Sequence, residues 1–194
     1  ASLRESVQHL SALLGRPPML PEWATSGIWL GVQGGTEAVE QKLAAMRAAG
    51  CHVTAVWCQD WSGIRMTSFG KRVWWDWKYN DKLYHDLPEK IRAWGREGVR
   101  FQGYINPYVC SDGTLYAEAA EKGYLVKNAD GGVYVVDFTE FTGGMVDFTN
   151  PDAFEWYKQV IIRNMIGIGL SGWMADFGEY LPLDCVLFRG DPAE

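Results

Sequence analysis

Apolar positions recur along this chain in two periods, and the changes between them mark out its elements. Leu3, Val7, Leu10, Leu13 and Leu14 fall at helical spacing between Ser2 and Gly15, which predicts an amphipathic packing helix over 2–14. Pro17, Pro18 and Pro21 remove donors and restrict their neighbours, so residues 16–23 read as an extended lead-in. Short apolar runs follow. Residues 27–33 (GIWLGVQ) read as a buried strand, 52–57 as a second, 100–105 as a third and 172–177 as a fourth. Helices are expected at 36–50 with Glu37 in the first turn, at 83–97 stopped by Gly98, near 115–122, and at 151–167 with Asn150 as cap and Pro151 at the start. Asp130-Gly131-Gly132 predicts a hairpin turn, and 61–80 is a long insertion.

Strands alternating with helices, with polar and aromatic residues gathered after each strand, give the rhythm of a parallel α/β fold. Barrel and open sheet both fit that rhythm. A doubly wound nucleotide sheet should carry a Gly-rich phosphate turn after its first strand, and Gly31-Val32-Gln33-Gly34-Gly35 does not meet G-x-G-x-x-G at the right offset. Long loops ending in polar groups favour a (β/α)8 barrel, which needs about 250 residues. With four strands in 194 residues, the expectation is the N-terminal half of such a barrel, a truncated catalytic domain that runs on past residue 183 without a terminating element.

Composition narrows the class. At 47% hydrophobic and 22% charged, the chain is an ordinary globular one, with no apolar run near the length of a spanning helix and no signal-peptide order at its start. A net charge of −6, with cations scattered except at Lys71-Arg72, argues against a nucleic-acid partner and means that an anionic ligand needs a local cationic site. Cys51, Cys58, Cys110 and Cys185 lack paired metal spacing and read as reduced, mostly core thiols of a cytoplasmic compartment; His9, His52 and His85 are isolated, so no metal is expected. Ten tryptophans suit both a packed core and flat platforms for sugar rings.

Chemistry gathers at the strand ends. Alternation places Gly172, Met174 and Asp176 on one face of the fourth strand and Trp173, Ala175 and Phe177 on the other. A carboxylate at the carboxyl end of a barrel strand is placed as catalysts are, although an Asp after a strand also serves as a turn former or helix cap. Gln33, Gln59-Asp60-Trp61 and Asn106-Pro107-Tyr108 end the other three strands.

The stretches WMADFGEYLP, QDWSGIRMTSFGKRVWW and GYINPY together resemble the retaining α-glycosidases of glycoside hydrolase family 31, and within it the sulfoquinovosidases, over essentially the whole chain. That resemblance implies a sulfonated-sugar glycoside as substrate and no cofactor. It makes Asp176 the nucleophile that forms a covalent glycosyl-enzyme and Glu179 an active-site carboxylate supporting it. A retaining mechanism also needs a protonated carboxyl group about 5–5.5 Å from the nucleophile. In the family this is an Asp after a later strand, expected beyond Glu194, as the family's β-sandwich is expected ahead of the barrel. Asp112, Asp137, Glu140 and Asp147 follow the third strand, where turn roles suit them better. The fragment alone is therefore expected to be inactive, its parent an enzyme that can form a homo-oligomer.

Substrate identity rests on the insertion. The resemblance places a sulfonate-binding pair at Arg72 and Trp75, with Val73 adding backbone contact and Gln33 and Gln59 bonding ring hydroxyls. A permanently charged tetrahedral anion suits directed N–H donors of this kind. Read without the resemblance, Arg72 is a solvated cation beside Lys71 and Trp75 a core aromatic. Neutral-sugar α-glucosidases and α-xylosidases of the same family are the alternative, and a non-catalytic fragment is the other.

Overall fold

The computed structural model describes residues 2–190. Its centre is a four-stranded parallel sheet in the order β1 (Ile28–Gly31), β2 (Val53–Trp57), β5 (Arg100–Ile105) and β9 (Gly172–Ala175). Strand order follows chain order without reversal, as in a barrel wall and unlike a doubly wound sheet, which reverses at its switch point. The crossovers carry α2 (Thr36–Ala48), α3 (Leu87–Arg96) and α5 (Pro151–Asn164). The expected half-barrel architecture is thus present as three β/α units followed by a fourth strand.

Each crossover is embellished. The 61–80 insertion folds into an antiparallel hairpin, β3 (Ile64–Thr67) with β4 (Gly70–Val73). After β5, the chain builds β6 (Tyr108–Cys110), α4 (Thr114–Glu121), β7 (Val136–Asp137) and β8 (Thr142–Met145), with β6, β8 and β7 in one antiparallel sheet. The turn at Asp130-Gly131-Gly132 is present, closed by the Lys127–Val133 bridge and by the Asn128 amide donating to the Gly132 carbonyl at 2.9 Å.

Several boundaries moved, each for a local reason. The first strand is an edge strand, not a buried one, and Ile28 and Trp29 are 41% and 46% exposed. The third helix starts at Leu87 because Asp86 sits in the left-handed region (φ 54°). The last helix ends at Asn164, where one 3-10 turn (Ile166–Ile168) takes over. Asn150 caps α5 as expected, accepting from the Asp152 amide at 3.0 Å. The N-terminal helix α1 (Leu3–Leu14) has the Ser2–Glu5 capping box, yet none of its residues is buried, so the expected packing is absent among the described residues.

Past residue 183 the chain is pinned: Val186 bridges Lys127, and the Phe188 amide donates to Asp147 Oδ2 at 2.6 Å. Residues 184–190 nonetheless form no helix or strand, as expected of that segment, and 191–194 lie outside the described residues.

The core fills the space between sheet and helices with large aromatics, including Trp61, Trp77, Tyr84, Phe101, Tyr104 and Tyr108. Trp57, Trp61 and Trp77 donate their indole N–H groups to the carbonyls of Gly103, Tyr104 and Tyr108 at 2.9, 2.8 and 2.9 Å. A buried donor left unpaired costs about 1–3 kcal/mol, so these bonds clamp β5 and the start of β6.

Candidate active site

The carboxyl ends of the parallel strands open onto a cleft of about 190 Å³. Gln33 enters it after β1 and Gln59 after β2, and Gln33 Nε2 donates to Gln59 Oε1 at 2.9 Å. Just beyond Gln33, Gly35 lets the chain turn into α2 against Leu83. It caps α2 at φ +97°, and a Cβ there would collide with the Leu83 carbonyl oxygen, so only glycine fits.

The hairpin supplies the opposite wall with Ile64, Lys71, Arg72 and Val73, and Trp75 follows it. Arg72 is exposed, forms no ion pair among the described residues, and donates only to the Lys71 carbonyl at 3.3 Å. Its guanidinium is therefore largely uncommitted. Trp75 is 8% exposed and wedged edge-on against Phe138 and Phe141, with centroids 4.8 and 5.3 Å away. The core-aromatic and cleft-wall readings of Trp75 are thus both true of the same ring, and its indole N–H takes no acceptor among the described residues.

What holds the hairpin is a second pair. Arg65 Nη1 and Nη2 reach both oxygens of Asp112 at 3.0 and 2.9 Å, and the guanidinium lies 4.7 Å from the Phe141 ring centroid. The Arg65 bond holds the Asp112 carboxyl below its ordinary range. Glu140 accepts from the backbone N–H and the hydroxyl of Ser68 at the hairpin turn. Asp137 caps Thr139, while Asp147 accepts from the Thr149 amide and the Phe188 amide. All four acids after the third strand are thus engaged structurally.

Asp176 joins this cleft through Tyr104. The Tyr104 hydroxyl, which lines the cleft, donates to Asp176 Oδ2 at 2.8 Å. The face assignment of β9 holds for Met174, which is in register with Tyr104, but fails for Phe177. The strand ends at Ala175 and Phe177 has φ 58°, so its ring turns into the cleft beside Trp75, 5.9 Å between centroids.

Of the other strand-end residues, Asp60 lines the cleft from a buried position, while Asn106 and Glu179 do not line it. Asp60 is 2% exposed and braces the scaffold, accepting from the Gly34 amide at 2.8 Å and from the Tyr84 hydroxyl. Burial, together with Cys58 and Asp60, raises the Tyr84 phenol well above its ordinary value. Asn106 turns inward, accepting from the Tyr108 amide at 2.9 Å. Glu179 is exposed in the loop after Asp176 and does not line the cleft. It is near enough, after burial as the main cause, to help push the Tyr108 phenol up to about 12.

Sequence reading missed Tyr104, Lys71, Phe141 and Phe177. Tyr104 stands two residues before Asn106 on an alternating strand, and that spacing was the signal available. Among the described residues no cluster of His, Cys, Asp or Glu could hold a metal ion, and no helix is long and apolar enough to cross a membrane.

The chain is 58% identical over 188 residues to a sulfoquinovosidase from Escherichia coli, covering 97% of this chain and 28% of that protein. It is 47% identical over 194 residues to a sulfoquinovosidase from Agrobacterium fabrum, covering 100% of this chain and 29% of that one. A solved structure of a family 31 sulfoquinovosidase from E. rectale, in complex with an aza-sugar inhibitor, superposes with a TM-score of 0.93 at 50% identity over 96% of this chain and 28% of the other. The chain therefore spans under a third of the length of these relatives. A family 31 dextranase from Flavobacterium johnsoniae shares the fold, with a TM-score of 0.80 at 21% identity. Residues 17–190 match the glycosyl hydrolases family 31 TIM-barrel domain, and the chain belongs to that family.

Proposed function

We propose that this chain is the nucleophile-bearing part of a retaining α-glycosidase barrel that cleaves α-sulfoquinovosides, such as sulfoquinovosyl glycerol, to release sulfoquinovose. The observation that carries the proposal is the cleft itself: an uncommitted guanidinium, Arg72, stands beside Trp75 across from the Gln33–Gln59 pair, with the Tyr104-held carboxylate of Asp176 adjoining. A sulfonate needs donors and takes no proton, which Arg72 and the Trp75 indole N–H supply. Val73 adds backbone contact there, and the two glutamine side chains meet ring hydroxyls. The likeness to relatives named sulfoquinovosidases supports the same substrate.

Asp176 attacks the anomeric carbon and Glu179 adds negative charge to the loop that carries it. A carboxylic acid elsewhere in the intact enzyme protonates the leaving oxygen. We place that acid/base and the closing strands in a later segment of a longer parent, with a β-sandwich ahead of the barrel, and expect the present segment alone to be inactive. Four free cysteines, three of them buried, support a reducing, cytoplasmic setting.

Proton NMR of sulfoquinovosyl glycerol hydrolysis by the intact protein tests this reading. The first-formed sugar should be the α anomer, and Asp176→Asn should abolish its formation. A β anomer first, or full activity in Asp176→Asn, sinks the mechanism.

A further inference from the structure

Tyr104 lines the cleft together with Gln33 and Gln59 and also bonds Asp176. It lies on β5 in register with Met174, so its ring rises on the face that carries Asp176. The residue is 1% exposed, its ring centroid is 6.0 Å from that of Trp77, and its carbonyl is held by the Trp61 indole. The phenol therefore has little room to swing away. Burial first, and the Asp176 carboxylate with it, raise the Tyr104 phenol above its ordinary value, while the Asn106 and Gln59 amides pull the other way. The net direction keeps the hydroxyl protonated, and it donates to Asp176 Oδ2 at 2.8 Å.

We propose that Tyr104 is a positioning residue for the displacement: by holding Oδ2 it selects Oδ1 as the attacking oxygen and stabilises the carboxylate when it departs. The inference rests on Asp176 being the nucleophile. In the first step the C1–Oδ1 bond forms while the bond from C1 to the aglycone oxygen breaks, and that oxygen takes a proton from the acid/base carboxylic acid. Oδ2 is then the carbonyl oxygen of a neutral ester. In the second step water oxygen bonds to C1, its proton passes to the acid/base carboxylate, and the C1–Oδ1 electron pair returns to Asp176. Negative charge reappears on the carboxylate only in this step, so the Tyr104 bond is stronger at its transition state than in the ester. Removing the hydroxyl slows release of the sugar more than its attachment.

The test is Tyr104→Phe in the intact protein on an aryl α-glycoside with a good leaving group, for which attachment is fast. The expected result is a kcat about tenfold lower, a KM that falls with it, and a pre-steady-state burst of aryl alcohol that grows toward one per site, because the ester accumulates. A merely structural role shrinks the burst and leaves kcat per titrated site unchanged; that result overturns the inference. Should the Phe variant fail to fold, fluorotyrosines placed at 104 keep the shape and grade the acidity. kcat should then follow phenol acidity, and a flat response is equally fatal. The measurement uses whichever aryl α-glycoside the wild type cleaves best. Preference for the glucoside thus refutes the sulfonate reading alone, while a flat response with the sulfoquinovoside preferred refutes only the role of Tyr104.

Discussion

Replacing Arg72 separates substrate recognition from folding, because this side chain does almost nothing for the scaffold. It is exposed, and its single hydrogen bond runs 3.3 Å to the carbonyl next door in sequence. Arg72→Ala should therefore shift stability within about 0.5 kcal/mol, the range of featureless surface changes. Its loss to a bound sulfonate is larger. Charge-assisted hydrogen bonds contribute about 1.5–3 kcal/mol each. Two such bonds in a partly open cleft, with the Lys71 cation left behind on the same wall, set the loss near the low end, about 3 kcal/mol. At about 1.4 kcal/mol per decade, kcat/KM for an aryl α-sulfoquinovoside should fall by about a hundredfold. The same variant should cleave an aryl α-glucoside within about threefold of the wild-type rate, since no charged bond is removed from that substrate. Arg72→Lys should recover only part of the loss, because an ammonium cannot present the planar fork. Steady-state kinetics on both substrates, with a thermal melt as control, decide the matter. An equal fall on both substrates, or a fall tracked by the melt, refutes the assignment.

Other predictions concern the supports. Tyr84→Phe strips a donor from the buried Asp60 carboxylate and leaves it the Gly34 amide, so the barrel should lose about 1.5–3 kcal/mol, read as a lower thermal midpoint. For Asp112, the Arg65 bond puts the folded value below the ordinary 3.8, so its stabilisation is present above that value and is lost as pH falls through the folded one. Wild-type stability should thus decline more steeply below about pH 4 than that of Asp112→Asn, and parallel acid titrations would contradict this. Because Arg65 and Asp112 hold the hairpin that bears Arg72, Asp112→Ala should raise KM for the sulfonated substrate more than for the glucoside.

Legibility in the sequence followed the length of each pattern. The 100–105 strand and the Asn150 cap were plain because an apolar run and a cap-plus-proline are local signals. The three short antiparallel strands after β5 were not, since two to four residues give no period and Gly143 and Gly144 hide the β8 pairing. Strand β1 is apolar enough to read as buried, but among the described residues it pairs on one side only. Within the site, Gln33, Gln59, Asp60, Arg72, Val73 and Trp75 do meet in one cleft, whereas Asn106 was drawn inward by a hydrogen bond that sequence spacing cannot show. Phe177 reversed because a left-handed residue ends the alternation on which its face was assigned.

The central claim is that the cleft recognises a sulfonate. Its most direct measurement is kcat/KM of the intact protein on matched aryl α-sulfoquinovoside and aryl α-glucoside. The expected result is a preference for the sulfoquinovoside that largely disappears in Arg72→Ala. Faster cleavage of the glucoside by the wild type would contradict it.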